Sequence, residues 1–132
     1  MRSALGRQQA VTQTPTYSAL APAEQLRVLI ETHFDVLLGP GSDFVPVMLY
    51  ESRALPARQR KSLALLIAEY ESLWQPVLAA LHASGQLRAP VRLARLLILG
   101  ALNWSVQWFD PRKGASVQEL SDAAMALFLK EF

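Results

Sequence analysis

Apolar positions recur every three or four residues from about residue 21 to the end of the chain, and proline and glycine interrupt the recurrence. Leu26, Leu29, Ile30, His33, Phe34 and Leu37 share one helical face in a segment that opens at Pro22 and stops at Gly39-Pro40. A short second helix is expected from Ser42 or Asp43 to about Arg53, with Phe44, Val47, Met48 and Tyr50 as its apolar residues. The third opens at Pro56 and carries a longer stripe, through Leu63, Leu66, Ile67, Tyr70, Leu73, Trp74, Val77, Leu78 and Leu81. Pro76 lies inside that stripe without throwing it out of phase, which predicts a kinked helix rather than two separate ones. Gly85 suits the residue just past its C-terminus.

The fourth segment, from Pro90 to about Phe109, is different in kind. Leu93, Leu96, Leu97, Ile98, Leu99, Leu102, Trp104, Val106 and Trp108 leave it almost no polar face. A helix that is apolar all round must be covered all round, so it needs a second partner besides its own core. Asp110-Pro111 and Gly114 then turn the chain. Ser116 and Glu119 form the S-x-x-E signature of a capped helix start, followed by Val117, Leu120, Ala124, Leu127 and Phe128 on one side. No stretch alternates with a period of two, so the expected fold is all-α with five helices. Residues 1–20 are polar and lack a sustained period, and they are expected to form a flexible arm or linker remnant ahead of one domain spanning 21–132.

The totals narrow the possibilities. With 132 residues the chain suits a single core, and at 52% hydrophobic it carries an apolar excess that points to an interface or a ligand cavity. The net charge of +2 is spread along the chain and gives little support to a nucleic-acid surface. Cysteine is absent, which excludes disulfides and thiolate chemistry and fits a cytoplasmic protein. The apolar run from Leu96 to Leu102, broken only by Gly100, is far short of the roughly 20 residues a membrane span needs. No signal-peptide pattern opens the chain, and no membrane partner is expected. No nucleophile, carboxylate pair, metal-ligand cluster or phosphate-binding glycine loop is present at a usable spacing, so no catalytic residue, metal or cofactor is assigned.

The run LARLLILGALNWSVQWFDP, followed by ELSDAAMALFL, resembles the last two helices of TetR-family transcriptional regulators. The pattern Asn103-Trp104, Trp108-Phe109 and Pro111 is similar to one branch of that family, as are HFDVLL at 33–38, VMLYESRALP at 47–56 and EYESLW at 69–74. The resemblance implies a homodimer joined through a four-helix bundle of the last two helices, and a cavity for a small effector among the helices before them. It also implies operator binding through an N-terminal helix-turn-helix. Nothing between Met1 and Leu20 is long or periodic enough to supply one, so DNA contact is expected only through a missing domain.

Candidate residues follow from helical-wheel placement and from that resemblance. For the effector they are His33, Phe34, Leu37, Val47, Tyr50, Tyr70, Trp74, Leu99 and Trp104; Tyr50, Tyr70 and Trp74 suit a pocket wall and a core equally, while His33 and Trp104 read first as core residues. For the dimer they are Arg92, Leu96, Gly100, Asn103 and Gln107 on the fourth helix, with Leu120, Ala124, Leu127 and Phe128 on the fifth; the alternative for the two amides is that they cap local backbone or line the pocket. Trp104 and Trp108, four residues apart, are expected to stack in the core. His82 sits where a helix C-terminus accommodates positive charge. Arg53, Arg58, Arg60 and Lys61 cluster at a turn, either solvated or placed for an anionic tail. Members of this branch often sense acyl-CoA thioesters or lipid-like acids, which the resemblance extends to this chain as a mostly apolar effector class. The competing reading is a dimerisation or partner-binding module without sensing.

Overall fold

The structure, a computed structural model, describes residues 2–38, 56–114 and 116–130. These residues are mainly helical, and the β-type pairing among them is an isolated antiparallel bridge between Leu87 and Leu129. In chain order the helices are α1 (Arg2–Thr12), α2 (Pro15–Ser18), α3 (Pro22–Leu38), α4 (Ala57–Ser72), α5 (Gln75–Ala83), α6 (Val91–Trp104) and α7 (Val117–Phe128). Short 3-10 turns cover Ser105–Gln107 and Pro111–Lys113. The expected second helix, with Phe44, Val47, Met48 and Tyr50, lies outside the described residues.

α3 is the central element, packed against α1, α5, α6 and α7. Its inward stripe is the one the spacing predicts: Leu26, Leu29, Ile30, His33, Phe34 and Leu37 are all buried. Around it α5 contributes Val77, Leu78 and Leu81, and α6 contributes Ala94, Ile98, Leu99 and Leu102.

The first twenty residues depart from the expected arm. α1 lays Leu5 and Gln8 against α3 and α4, and Tyr17 of α2 is buried in the same core. Its sequence reads as unstructured because only one face is short of solvent, and that face mixes an amide with a leucine. Gln8 is fully buried, and the hydrogen bonds of its amide nitrogen to Leu29 O and Tyr70 Oη compensate part of the lost water.

Pro76 divides the third predicted helix more sharply than a kink. The ladder stops at Ser72, Leu73 and Trp74 keep helical dihedrals with tighter three-residue bonds, and α5 starts with Pro76 in its first turn. Proline has no N–H to continue the ladder, so the break falls just ahead of it. The stripe still runs through, since Tyr70, Trp74 and Leu78 are buried on both sides of the break.

The caps follow sequence closely. At the end of α5, Gly85 has φ of 79°, its N–H donates to His82 O, and the Gln86 N–H donates to Leu81 O. That is the left-handed glycine closure of a helix. Ser116 Oγ accepts from Glu119 N at 3.1 Å and opens α7. Two surface pairings join distant segments: Arg27 of α3 to Asp122 of α7 at 2.5 Å, and Arg7 of α1 to Asp35 of α3. No described helix is long and apolar enough to cross a membrane.

Candidate functional site

Two features of the fold invite function, and α6 carries both. The first is a buried polar chain. His33 of α3 is flanked by the hydroxyl of Tyr70, with Nδ1 to Oη at 2.5 Å, and by the amide of Asn103, with Nε2 to Oδ1 at 2.7 Å. Tyr70 Oη also lies 3.1 Å from Gln8 Nε2, which itself donates to the Leu29 carbonyl at 2.8 Å. Trp74 closes the cluster, its ring edge-on to His33 with centroids 5.9 Å apart. Four helices are thus joined by one polar chain, with His33 linking Tyr70 and Asn103.

Burial sets the charge of this cluster. It pushes His33 down to about 4, with the Asn103 hydrogen bond opposing, so the imidazole is neutral at physiological pH. Burial pushes the Tyr70 hydroxyl up, opposed in part by the Gln8 amide and the Trp74 indole. The Trp74 N–H tempers that oxygen without the alignment of a hydrogen bond: Nε1 is one of two fully buried polar atoms in the cluster with no partner, Gln8 Oε1 being the other. Each costs stability on its own account. The cluster is a neutral, directional set of donors and acceptors, suited to holding elements or a ligand in register and unsuited to acid–base work near pH 7.

The second feature is an exposed apolar face on α6 and α7. Leu93, Leu96 and Leu97 are 47%, 45% and 63% exposed, and Trp104 and Trp108 are 56% and 58% exposed. On the wheel the three leucines lie within about a quarter of a turn of Trp104, with Gly100 among them, and Trp108 follows the 3-10 turn that ends the helix. Leu127 of α7 is 70% exposed. A soluble monomer rarely leaves such a continuous apolar surface open.

The structure therefore rearranges the predicted site residues. His33, Tyr70 and Trp74 do come together, and Phe34, Leu37 and Leu99 are buried. Val47 and Tyr50 lie outside the described residues. Trp104, predicted with the pocket, is on the exposed face, and Trp108 is not in the core either. Asn103, predicted for the dimer, is half-buried and turned to His33. The two neighbours have exchanged places because successive helical residues differ by about 100°. Arg92, Leu96, Gly100 and Gln107 are exposed as a contact face requires, and an added Cβ at Gly100 would meet nothing within 4 Å. On α7 Leu127 alone of the predicted set is exposed. Ala124 is buried in the chain's own core, and Leu120 and Phe128 pack against that core.

Gln8 is the residue that sequence reading missed. Its signal is faint: a glutamine three residues from Leu5 in a segment with no obvious stripe. Arg58, Arg60 and Lys61 are exposed at the start of α4, and His82 is exposed near the end of α5. A surface groove of about 410 Å³ between α3 and α7 is lined by Glu31, Thr32, Asp35, Val117 and Gln118. Its walls are polar and it is open to solvent, unlike a cavity for an apolar effector.

Comparison with known proteins bears on both features. The family model for the tetracyclin repressor-like C-terminal domain matches residues 19–132. A search of curated proteins returned no match. Among solved structures, one described as the superantigen pfit is 26% identical over 98% of this chain and 68% of its own, with a TM-score of 0.76. A TetR/AcrR-family regulator from Thermobifida fusca YX-ER1 is 24% identical, with a TM-score of 0.73 over 96% of this chain and 64% of its own. AibR in complex with isovaleryl coenzyme A and operator DNA has a TM-score of 0.76 at 16% identity, over 98% of this chain and 73% of its own. The chain thus spans about two thirds of the length of these structures.

Proposed function

Because the chain belongs to the tetracyclin repressor-like C-terminal domain family, we propose that it is the effector-binding and dimerisation domain of a TetR-type transcriptional regulator. The observation that carries the reading is the exposed apolar face centred on Leu97, Gly100 and Trp104 of α6, together with the exposed Leu127 of α7. A second copy of the chain is its occupant. Burying these side chains against their own counterparts satisfies the second partner that an all-round apolar helix requires. DNA contact belongs to the whole regulator, and the domain acts on it by shifting between arrangements of its helices.

The mass of the chain in solution tests the dimer. The expected result is twice the chain mass at micromolar concentration, and a monomer there sinks the assignment. Leu97→Glu should convert the dimer to monomer while leaving the far-ultraviolet circular dichroism helical. Leu97 is 63% exposed, so a carboxylate there costs the single chain little and costs the interface a buried unpaired charge.

The effector side of the proposal is an apolar small molecule whose acyl portion enters near His33, Tyr70 and Trp74, with a CoA thioester as the first class to try. Support comes from AibR, solved with isovaleryl coenzyme A, and from the exposed Arg58, Arg60 and Lys61 at the head of α4. A ligand at about 100 times its Kd should stabilise the fold by about 2.7 kcal/mol, visible as a rise in Tm. A CoA thioester series, short to long chain, that leaves Tm unchanged removes this class. It would favour the reading in which the domain dimerises without sensing, which the self-contained packing of His33, Tyr70 and Trp74 also supports.

A further inference from the structure

The buried polar chain has a direction, and one backbone atom sets it. A carbonyl oxygen only accepts, so the Gln8 amide must present its nitrogen to Leu29 O. The same nitrogen faces Tyr70 Oη, which therefore accepts from it. The Tyr70 proton then goes to its remaining close neighbour, His33 Nδ1. With Nδ1 accepting, the neutral ring carries its proton on Nε2 and donates to Asn103 Oδ1. With Gln8 bonded to Leu29 O, polarity runs from Gln8 through Tyr70 and His33 to Asn103, across α1, α4, α3 and α6.

The opposite polarity is also chemically complete at three links. If Asn103 turned its amide nitrogen toward His33, the ring proton would move to Nδ1 and be donated to Tyr70 Oη. The Tyr70 hydroxyl would then donate to Gln8 Oε1, the acceptor that is fully buried and unpartnered in this structure. Gln8 would have to turn its amide to receive that proton, and its bond to the Leu29 carbonyl would be lost. The two states therefore differ at one place outside the chain itself, the pin between α1 and the backbone of α3.

We propose that Gln8, Tyr70, His33 and Asn103 form a two-state coupling device, in which the orientation of the Asn103 amide on α6 decides whether α1 is pinned to α3. Asn103 is half-buried beside the exposed apolar face, so it is the link that a contacting group can reach. An acceptor offered to its nitrogen holds the pinned state. A donor that captures its oxygen turns the amide and releases α1. This goes beyond effector binding, because it needs no cavity and acts through whatever meets α6.

Two measurements on the 132-residue chain at pH 8, where His33 is neutral, test the device. Imidazole ¹⁵N shifts should show the His33 proton on Nε2; a proton on Nδ1 overturns the assigned polarity. Hydrogen exchange then tests the coupling. Asn103→Leu removes the terminal acceptor and should speed exchange in residues 5–12 by about tenfold while α7 changes little. Asn103→Asp keeps an acceptor and should restore wild-type protection of α1. Equal acceleration in α1 and α7, no acceleration in α1, or the same response to both variants overturns the proposal. If Asn103→Leu does not fold, Asn103→Ala, which also removes the acceptor, takes its place with the same outcomes.

Discussion

The free energy of unfolding should fall by about 3 kcal/mol as pH is lowered from 6.5 to 4, and His33 should account for most of that fall. Burial among Tyr70, Trp74 and Asn103 favours the neutral ring and lowers its folded-state pKa from 6.5 to about 4. Between those values the unfolded chain binds a proton that the folded chain refuses. The stabilising preference is therefore fully present above pH 6.5 and is lost as pH falls through the window. At the acid end, a protonated ring would present Nδ1–H to Tyr70, whose own proton already points there. Asp110 and Asp122, held below the usual carboxylate range by hydrogen bonds from Arg112 and Arg27, act in the same direction but below that window. Urea titrations at half-unit intervals from pH 7.5 to 3.5 separate the two. His33→Gln should flatten the slope between 6.5 and 4 and leave the acid limb. A slope unchanged by His33→Gln would mean that the histidine is not the group that titrates.

Much of the fold was legible because its determinants are local. Apolar spacing located α3, proline and glycine punctuated the chain, and Ser116 and Gly85 marked helix ends by chemistry that acts over three or four residues. The N-terminal helix was not legible. Its burial depends on Gln8 finding Leu29 O and Tyr70 Oη, 21 and 62 residues away. Pairings of that kind leave no periodic trace.

The candidate site was half legible for a related reason. His33, Tyr70 and Trp74 each stood on a predicted inward stripe, so their convergence followed from helix phase. α6 offered no such phase: Leu96, Leu97, Ile98 and Leu99 occupy four successive positions and point in four directions. When apolar residues encircle a helix, the pattern says that everything is covered but not by what. Helix phase alone therefore does not separate Asn103 from Trp104: the amide faces His33, and the indole lies in line with Leu97 and Gly100 on the exposed side.

The two tryptophans should therefore fail in different ways. Trp74→Ala should cost about 3–5 kcal/mol of folding stability, the range for emptying a fully buried aromatic site. Trp74 has no exposed surface, and its ring lies against both His33 and Tyr70, with centroids 5.9 and 6.3 Å away. Removing it leaves a cavity at the junction of α4 and α5, just ahead of Pro76. The buried Nε1 without a partner disappears too, which offsets part of the loss and argues for the lower half of the range. Trp104→Ala removes a side chain of the same size that is 56% exposed, and its main effect should fall on association. Denaturation followed at two protein concentrations distinguishes them. For Trp74→Ala the midpoint should drop by a similar amount at both concentrations. For Trp104→Ala it should converge on the unaltered chain's midpoint where both are monomeric. A concentration-independent loss for Trp104→Ala as large as that for Trp74→Ala would return Trp104 to the core and take the apolar face of α6 with it.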